Sequence, residues 1–373
     1  MIQQVTKVLL ATHVHPVIHG QAFMAQQLAE QAQDWSDIDF LTHNTAYVND
    51  RDDLGRGGLA KIIKFLRFRR DILRRVRKEN IQTVIITPAF FRGPFIKDAF
   101  MIRALKKYTN AKIIAWVHMD PARLELNAQP QIFQKFAHRS MNMVDLWVAC
   151  APSLLDCWPE WIPGRKIAIS NAIPDPLEGA DPEPPKPDGR FKVGYLSAMD
   201  PEKGWQELFQ AAKSLCSKHE TIEFHFYGGV GQRETKASLM QIFKESGYSD
   251  RIQWHGRVDG EEKSKAFQSM DLFVFPSHTE QFPITVLEAM AHKLPIISTD
   301  VGAVKDALLD QDLLISGDPE RIIKKIINLI NSPDKYLAQS SANRNRFEEH
   351  FSSHNFRKQW NEVVLNTVKS IDS

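Results

Sequence analysis

Residues 271–300, DLFVFPSHTEQFPITVLEAMAHKLPIISTD, decide the fold. An apolar run, DLFVFPS, gives way to a polar loop, then to an amphipathic segment opened by Pro283, then to a second apolar run, LPIISTD. Proline is favoured at the first position of a helix, where its missing N–H is not needed and its φ is preset. The stretch therefore reads as strand, loop, helix, strand. Glu280 and Glu288 stand eight positions apart within it. On one continuous helix their side chains would sit about 80° and about 12 Å apart and would not converge. With the helix opening at Pro283, Glu280 falls in the loop and Glu288 about one turn inside. Between them lies a helix N-terminus, whose free N–H groups and positive dipole end suit an anion. A solvated Glu288 on an ordinary amphipathic helix accounts for the spacing equally well, so the rest of the chain must decide.

Working outward, the same alternation runs from end to end. KVLLATHV, TVIITPAF, KIIAWVHM and DLWVACA precede KVGYLSA, IEFHFYGG, RIQWHG, DLFVFPS and LPIISTD, each separated by longer amphipathic stretches. This is the pattern of two doubly wound, mostly parallel sheets. Between them PDPLEGADPEPPKPDG (174–189) is too rich in proline to continue a helix or a central strand, and reads as an extended linker. The expected division is residues 1–172 with a C-terminal helix at 354–373, a linker at 173–189, and 190–353. NFRKQWNEVVLNTV places Phe356, Trp360, Val363 and Val364 at helical spacing, a face that must pack on something.

The 373 residues exceed one ordinary core, and 43% hydrophobic with 25% charged is an ordinary globular balance. A net charge of +2 implies no general affinity for polyanions, and no nucleic-acid partner is expected. Cys150, Cys157 and Cys216 form an odd set without CxxC spacing, which suits reduced packing residues in a cytosolic protein. No run approaches the ~20 apolar residues of a membrane span, and the start lacks the features of a secretory signal. A cytoplasmic protein, peripheral at most to the inner face of a membrane, is expected.

Ligands of open α/β sheets bind beyond the carboxyl ends of the strands. Four loops there are informative. In THVHPVIHGQAF, Gly20 precedes a helical pattern and lets backbone approach a ligand, or simply turns the chain. WVHMDP puts His118 directly after a strand expected to be central, where an imidazole serves as donor or base, or merely as a satisfied structural group. In YLSAMDPEKGWQELF, Asp200 and Pro201 read as cap and first-turn residues, with Lys203 at a helix start where its charge opposes the dipole unless an anion is bound. In WHGRVDGEEK, the bend at Gly256, Arg257 and Val258 exposes backbone groups that can read a planar base. The signatures of P-loops, zincins, α/β-hydrolases, zinc fingers and dinucleotide folds are absent, and no carboxylate cluster suggests a metal cage. Neither a metal nor a cofactor is expected.

Residues 56–78, RGGLAKIIKFLRFRRDILRRVRK, form a basic amphipathic helix. Ile62, Phe65, Leu66, Ile72, Leu73 and Val76 are expected to dock on the sheet. Arg67, Arg69, Arg70, Arg74 and Arg75 would then face solvent or an anionic membrane surface.

DPEKG, HGRV, FPS and then E280-QFPITVL-E288-AMA, in this order and spacing, resemble the retaining family-4 glycosyltransferases of the GT-B fold (glycosyl transferases group 1). The match covers the second half by motif, and the first half by architecture, Gly20 and His118. The resemblance implies two Rossmann-like domains facing a cleft, with the C-terminal helix crossing back to the first. It implies transfer of a hexosyl group from a nucleotide-diphosphate sugar, a UDP-sugar in preference to a GDP-sugar, to a saccharide or lipid-linked saccharide (glycolipid) acceptor, with retention and without metal. Glu288 would bind the ribose, Glu280 would face the hexose, and backbone around Phe282, Pro283, Ile284 and Thr285 would hold sugar hydroxyls or the diphosphate. Lys203 would pair with the diphosphate, Arg257 and Val258 would meet the base, Gly20 would line the donor site, and His118 would hydrogen-bond the donor sugar. Two departures stand out. Ala198 replaces the family's usual arginine five positions before the lysine, so either another cation such as Arg257 compensates or donor binding is weaker. His19-Gly20-Gln21 replaces a glycine pair followed by an acid. A nucleotide-sugar epimerase and a non-catalytic binding module on the same fold remain as alternatives.

Overall fold

A computed structural model describes residues 5–12, 20–44, 59–180, 182–184, 189–309, 314–315 and 317–369. His13, His15 and His19 lie outside the described residues. The chain divides into two compact units, Met1–Asn171 with Ser353–Ser373, and Ala172–Ser352.

The first unit runs β1 (Thr6–Thr12), α1 (Gly20–Gln31), β2 (Ile38–Asn44), α2 (Leu59–Lys78), β3 (Thr83–Ile86), α3 (Arg92–Tyr108), β4 (Lys112–Val117), α4 (Gln131–Met141), β5 (Leu146–Ala149), α5 (Pro152–Asp156) and β6 (Lys166–Ala168). The second continues with β7 (Phe191–Leu196), α6 (Trp205–Cys216), β8 (Ile222–Tyr227), α7 (Lys236–Lys244), β9 (Ile252–Gly256), α8 (Gly260–Gln268), β10 (Leu272–Phe275), α9 (Ile284–Ala291), β11 (Ile296–Thr299), α10 (Val304–Ala307), β12 (Leu314–Ile315), α11 (Pro319–Ile330) and α12 (Pro333–Arg346). The last helix, α13 (Ser353–Lys369), returns to the first unit.

Both sheets are parallel and six-stranded, in the orders β2-β1-β3-β4-β5-β6 and β12-β11-β10-β7-β8-β9. Strand residues alternate between two covered faces, so the central strands are largely apolar on both. In β4, Ile113, Ala115 and Val117 join a core with Ile72, Ile102 and Trp147. Trp116, on the other face, meets Trp360 at 4.9 Å and Phe356 at 6.1 Å between ring centroids. The face expected on the C-terminal helix thus packs on β4: Phe356, Trp360 and Val364 are buried and Val363 is half-buried. In the second unit Trp205, Phe209, Phe224, Phe226 and Phe243 fill one side of the sheet. Phe273, from the other side, meets Phe267 of α8 at 5.6 Å.

Several expectations change. Strands β2, β6 and β12 were not read from the sequence. On α2, Ile72 and Val76 are buried and Phe68 and Leu73 pack against the same core, but Leu66 is 44% exposed. Six residues at about 100° each carry Leu66 some 240° from Ile72, so both cannot dock. The Ile62 side chain lies outside what is described. Cys150 and Cys216 are buried, whereas Cys157 is exposed and is no packing residue. The proline-rich stretch begins as an ordered turn. Asp175 accepts the N–H groups of Leu177 (3.0 Å) and Gly179 (2.9 Å), and is held by the buried Arg344 of α12 at 2.7 Å.

Candidate active site

In the second sheet β7 lies between β8 and β10, so the chain winds outward in opposite directions from the β7/β10 pair. The loops leaving two such strands part, and the crevice they leave is where doubly wound sheets take ligands. The loop after β7 carries Lys203, and the loop after β10 carries Glu280.

These loops are tied to each other. His278 N–H donates to Glu202 O at 2.9 Å, and Ser277 Oγ lies 3.2 Å from the same carbonyl. Gly204, at φ +70°, passes so close that an added Cβ would lie 1.9 Å from Pro276 O. Tyr195, buried at the end of β7, donates its hydroxyl to Ala198 O (3.1 Å) and stands 3.4 Å from Lys203 O, pinning both ends of the DPEK loop. Asp200 stands at the N-cap of a short 3₁₀ turn, Pro201–Lys203, with Pro201 in its first turn as expected, but its side chain does not bond that turn: Oδ1 accepts Gln232 N–H at 2.7 Å, from the loop after β8. Beyond β11, Gly302 at φ +55° abuts the chain, where a Cβ would come within 2.4 Å of Glu280 O, and Ala303 N–H donates to Gln281 O at 2.7 Å.

The scaffold brings Lys203 and Glu280 together. Lys203 Nζ donates to Glu280 Oε1 at 2.6 Å, with the side chains 27% and 15% exposed, and Ser277 Oγ donates to that oxygen at 3.1 Å. Helix α9 then starts at Ile284, with Pro283 one position earlier than expected, at its N-cap in extended backbone. No side chain caps this end. The N-terminus between the two glutamates is therefore as the sequence suggested, one residue later. Phe282 is buried and rests against Phe351 at 5.8 Å.

Glu288 lies on α9 with its carboxylate held by Lys263 of α8, whose Nζ is 2.6 Å from each oxygen. Burial pushes the Glu288 carboxyl above its usual pKa while Lys263 pulls it back. Arg257 is exposed and paired with Asp259 at 2.7 Å, which raises its pKa further. Val258 follows it in the loop between β9 and α8.

In the first unit Gly20 opens α1, is exposed, and has no described atom within 4 Å of where a Cβ would stand. His118 follows β4, half-buried, its ring 4.2 Å from that of Trp116. Gln21 donates to Thr87 Oγ1 at 2.7 Å, and Thr87 pairs with Thr12 at 2.5 Å, a neutral cluster at the ends of β1 and β3. On α2, Arg75 is not available to a membrane: it donates to Thr42 O at 2.7 Å and pairs with Glu79 at 3.1 Å. Arg67, Arg70 and Arg74 are exposed and Arg69 is half-buried. Among the described residues no three His, Cys, Asp or Glu side chains converge to hold a metal, and no helix is long and apolar enough to cross a membrane.

Comparison with known proteins agrees with this geometry. Residues 179–346 match the family model described as Glycosyl transferases group 1. The capsular polysaccharide biosynthesis glycosyltransferase CapM of Staphylococcus aureus is 30% identical over 169 residues, 44% of this chain and 43% of that protein. The 2-deoxystreptamine N-acetyl-D-glucosaminyltransferase of Niallia circulans is 29% identical over 131 residues, 35% of this chain and 33% of that protein. These alignments span less than half the length of the relatives. Among solved structures, sucrose-phosphate synthase from Thermosynechococcus elongatus matches with a TM-score of 0.74 at 16% identity, covering 98% of this chain and 100% of that one. Anabaena HepE, solved with UDP and glucose, matches with a TM-score of 0.68 at 15% identity, covering 95% and 98%. Both units carry the Rossmann-like architecture of GT-B glycosyltransferase structures, and the second unit is similar to the glycosyl transferases group 1 over the matched residues.

Proposed function

We propose that the protein is a retaining glycosyltransferase that moves a hexosyl group from a nucleotide-diphosphate sugar to a saccharide or lipid-linked saccharide in glycan biosynthesis. One observation carries this reading: Lys203 and Glu280 meet at the topological switch of the second sheet, beside the uncapped N-terminus of α9. A cation and a free helix end suit a diphosphate, and a carboxylate beside them suits sugar hydroxyls. In the reaction the anomeric carbon–oxygen bond to the diphosphate breaks as the acceptor oxygen bonds from the same face. The acceptor's proton passes to the departing phosphate oxygen. Lys203 and the α9 N–H groups stabilise the charge that develops there, so the reaction calls for neither a protein nucleophile nor a metal. Glu288 takes the ribose hydroxyls, and the loop at Arg257 and Val258 takes the base. In the first unit, the loops at Gly20 and His118 serve the sugar substrates.

A UDP-sugar is the favoured donor, and a cytosolic enzyme peripheral to an anionic membrane the favoured setting. On α2 the exposed Ile63 (41%) and Leu66 (44%) share a stripe with Arg67, Arg70 and Arg74, three, four, seven and eleven positions on from Ile63. Apolar side chains among arginines fit a lipid surface better than open water.

Thermal stability with a panel of UDP- and GDP-sugars tests the donor reading. A donor at 100 times its dissociation constant stabilises by about 2.7 kcal/mol, and Glu288→Ala should abolish the effect. A panel that leaves the melting temperature unmoved refutes donor binding. Conversion of the donor without acceptor would instead favour an epimerase.

A further inference from the structure

We propose that Lys263 is a positioning residue for nucleotide binding: its ammonium bridges both oxygens of the Glu288 carboxylate and holds it in place for the donor's ribose. This rests on the assignment of the ribose to Glu288. The Lys263 Nζ hydrogen bond goes to Oε1 at 2.6 Å. Oε2 is equally near the ammonium, at 2.6 Å, so both oxygens are paired with the one lysine. A carboxylate has about four acceptor sites. An ammonium bridging both oxygens therefore leaves lone pairs that can accept from a vicinal diol.

Helix α8 is braced against α9 at more than this point. Ser264 Oγ lies 2.9 Å from His292 Nε2, and His292 Nδ1 lies 2.7 Å from Glu288 O. A carbonyl can only accept, so Nδ1 carries the proton and Ser264 donates to Nε2. Phe267, one turn on, stacks on the same imidazole at 5.2 Å. Lys263, Ser264 and Phe267 thus fasten both the backbone and the carboxylate of Glu288. Helix α8 also begins directly after the Arg257–Asp259 loop, so base and ribose contacts would share one support.

The role of Lys263 is electrostatic as well as geometric. Burial favours the protonated form of Glu288, which would donate one hydrogen bond where a diol needs two accepted. Lys263 is the charged group that opposes this from α8. On α9 itself His292 follows one turn later, held neutral by burial, and the Asp175–Arg344 pair acts on that histidine.

The test uses the full chain with UDP and GDP and their 2′-deoxy counterparts, titrated calorimetrically between about pH 6 and pH 9, a range that spans documented buried glutamates. Lys263→Met should bind the ribonucleotide more weakly, by about tenfold per pH unit below the raised carboxyl pKa. Affinity should recover as the pH rises. Its affinity for the 2′-deoxynucleotide should fall much less, and Lys263→Arg should restore ribose preference. A loss that is equal for ribose and deoxyribose and independent of pH marks Lys263 as merely structural and overturns the proposal. So does wild-type behaviour of Lys263→Met. Glu288→Gln separates the two levels. If it keeps wild-type ribonucleotide affinity, the ribose assignment itself is wrong and this inference falls with it. If it loses ribose preference at every pH while Lys263→Met does not, only the inference fails.

Discussion

The pair between Lys203 and Glu280 sets a condition on donor binding that can be worked out from its geometry. At 2.6 Å, with the lysine about one quarter exposed, the contact is a charge-assisted hydrogen bond within a partly solvated loop. Such bonds contribute about 1.5–3 kcal/mol when dry, and partial exposure places this one near the lower end, about 1.5 kcal/mol. A diphosphate that draws Lys203 away must offset that amount before it gains anything. Glu280→Gln removes the competing charge, keeps the shape, and leaves Lys203 free for phosphate. Its affinity for UDP should therefore rise by about tenfold, the equivalent of about 1.4 kcal/mol. Lys203→Met should weaken UDP by a similar factor or more. The decisive comparison is the double variant: without Lys203, Glu280→Gln should return little of that gain, because no lysine remains to be released. Isothermal calorimetry on the four proteins at one ionic strength measures the cycle. If Glu280→Gln binds UDP no more tightly than the wild type, the pair does not gate the diphosphate. If the gain persists undiminished in the Lys203→Met background, simple repulsion between carboxylate and phosphate explains it, and the reasoning from the pair is refuted.

Flotation with vesicles of anionic lipid tests the outer stripe of α2. Three arginines at ~1 kcal/mol each would bind about a hundredfold more tightly to anionic than to neutral vesicles, and reversing Arg67, Arg70 and Arg74 to glutamate should abolish flotation; equal recovery of wild type and variant would discard the membrane contact. Asp98 of α3 gives a pH signature in the first unit. Its carboxylate accepts Ala89 N–H at 2.9 Å, and burial pushes its pKa from 3.8 up to about 6. Because the folded value is the higher one, this group's contribution to stability is full below about pH 3.8 and is lost as the pH rises through 6. Asp98→Asn, which never ionises, should be the more stable protein near pH 7.5, by up to about 3 kcal/mol, with the gap closing near pH 4. Urea unfolding at both pH values measures it, and a difference that does not change with pH counts against burial as the cause.

How far the fold could be read from the sequence followed from where each strand lies in its sheet. Central strands are covered on both faces, so β3, β4, β5 and β10 are nearly continuous apolar runs and stand out. The strands that escaped notice, β2, β6 and β12, are all edges. In β2 only Ile38 is buried, and polar residues intervene; β6 and β12 have three and two residues. An edge strand is specified by its neighbour's backbone more than by its own side chains, so pattern recovers β9, the fourth edge, where Ile252 and Trp254 alternate, but not these three. On α2 the error was one of phase. A helix with apolar residues on more than one side offers several docking stripes, and only the sheet beneath selects Phe68, Ile72 and Val76.

The candidate site was legible in part for a related reason. Pro283 announces where α9 begins, and that fixes Glu280 in a loop and Glu288 in a helix, whatever the partners are. The partners were not legible, because Lys263 precedes Glu288 by 25 positions and Lys203 precedes Glu280 by 77. No local periodicity joins residues so far apart. Only strand order does, by setting β7 beside β10 and thereby the DPEK loop beside the SHTE loop. Gly204 and Gly302 carried the one available signal. Each has positive φ and backbone where a Cβ would stand, so each marks a loop pressed against another. A glycine at a strand's carboxyl end in a doubly wound sheet is thus a long-range constraint in disguise: the chain it touches shares the ligand's crevice. By that reading the site is a set of loops packed first on each other, which then present one lysine to each glutamate. The two ion pairs hold the acids in place, and on the proposed function a nucleotide sugar would use the one at Glu288 and break the other at Glu280.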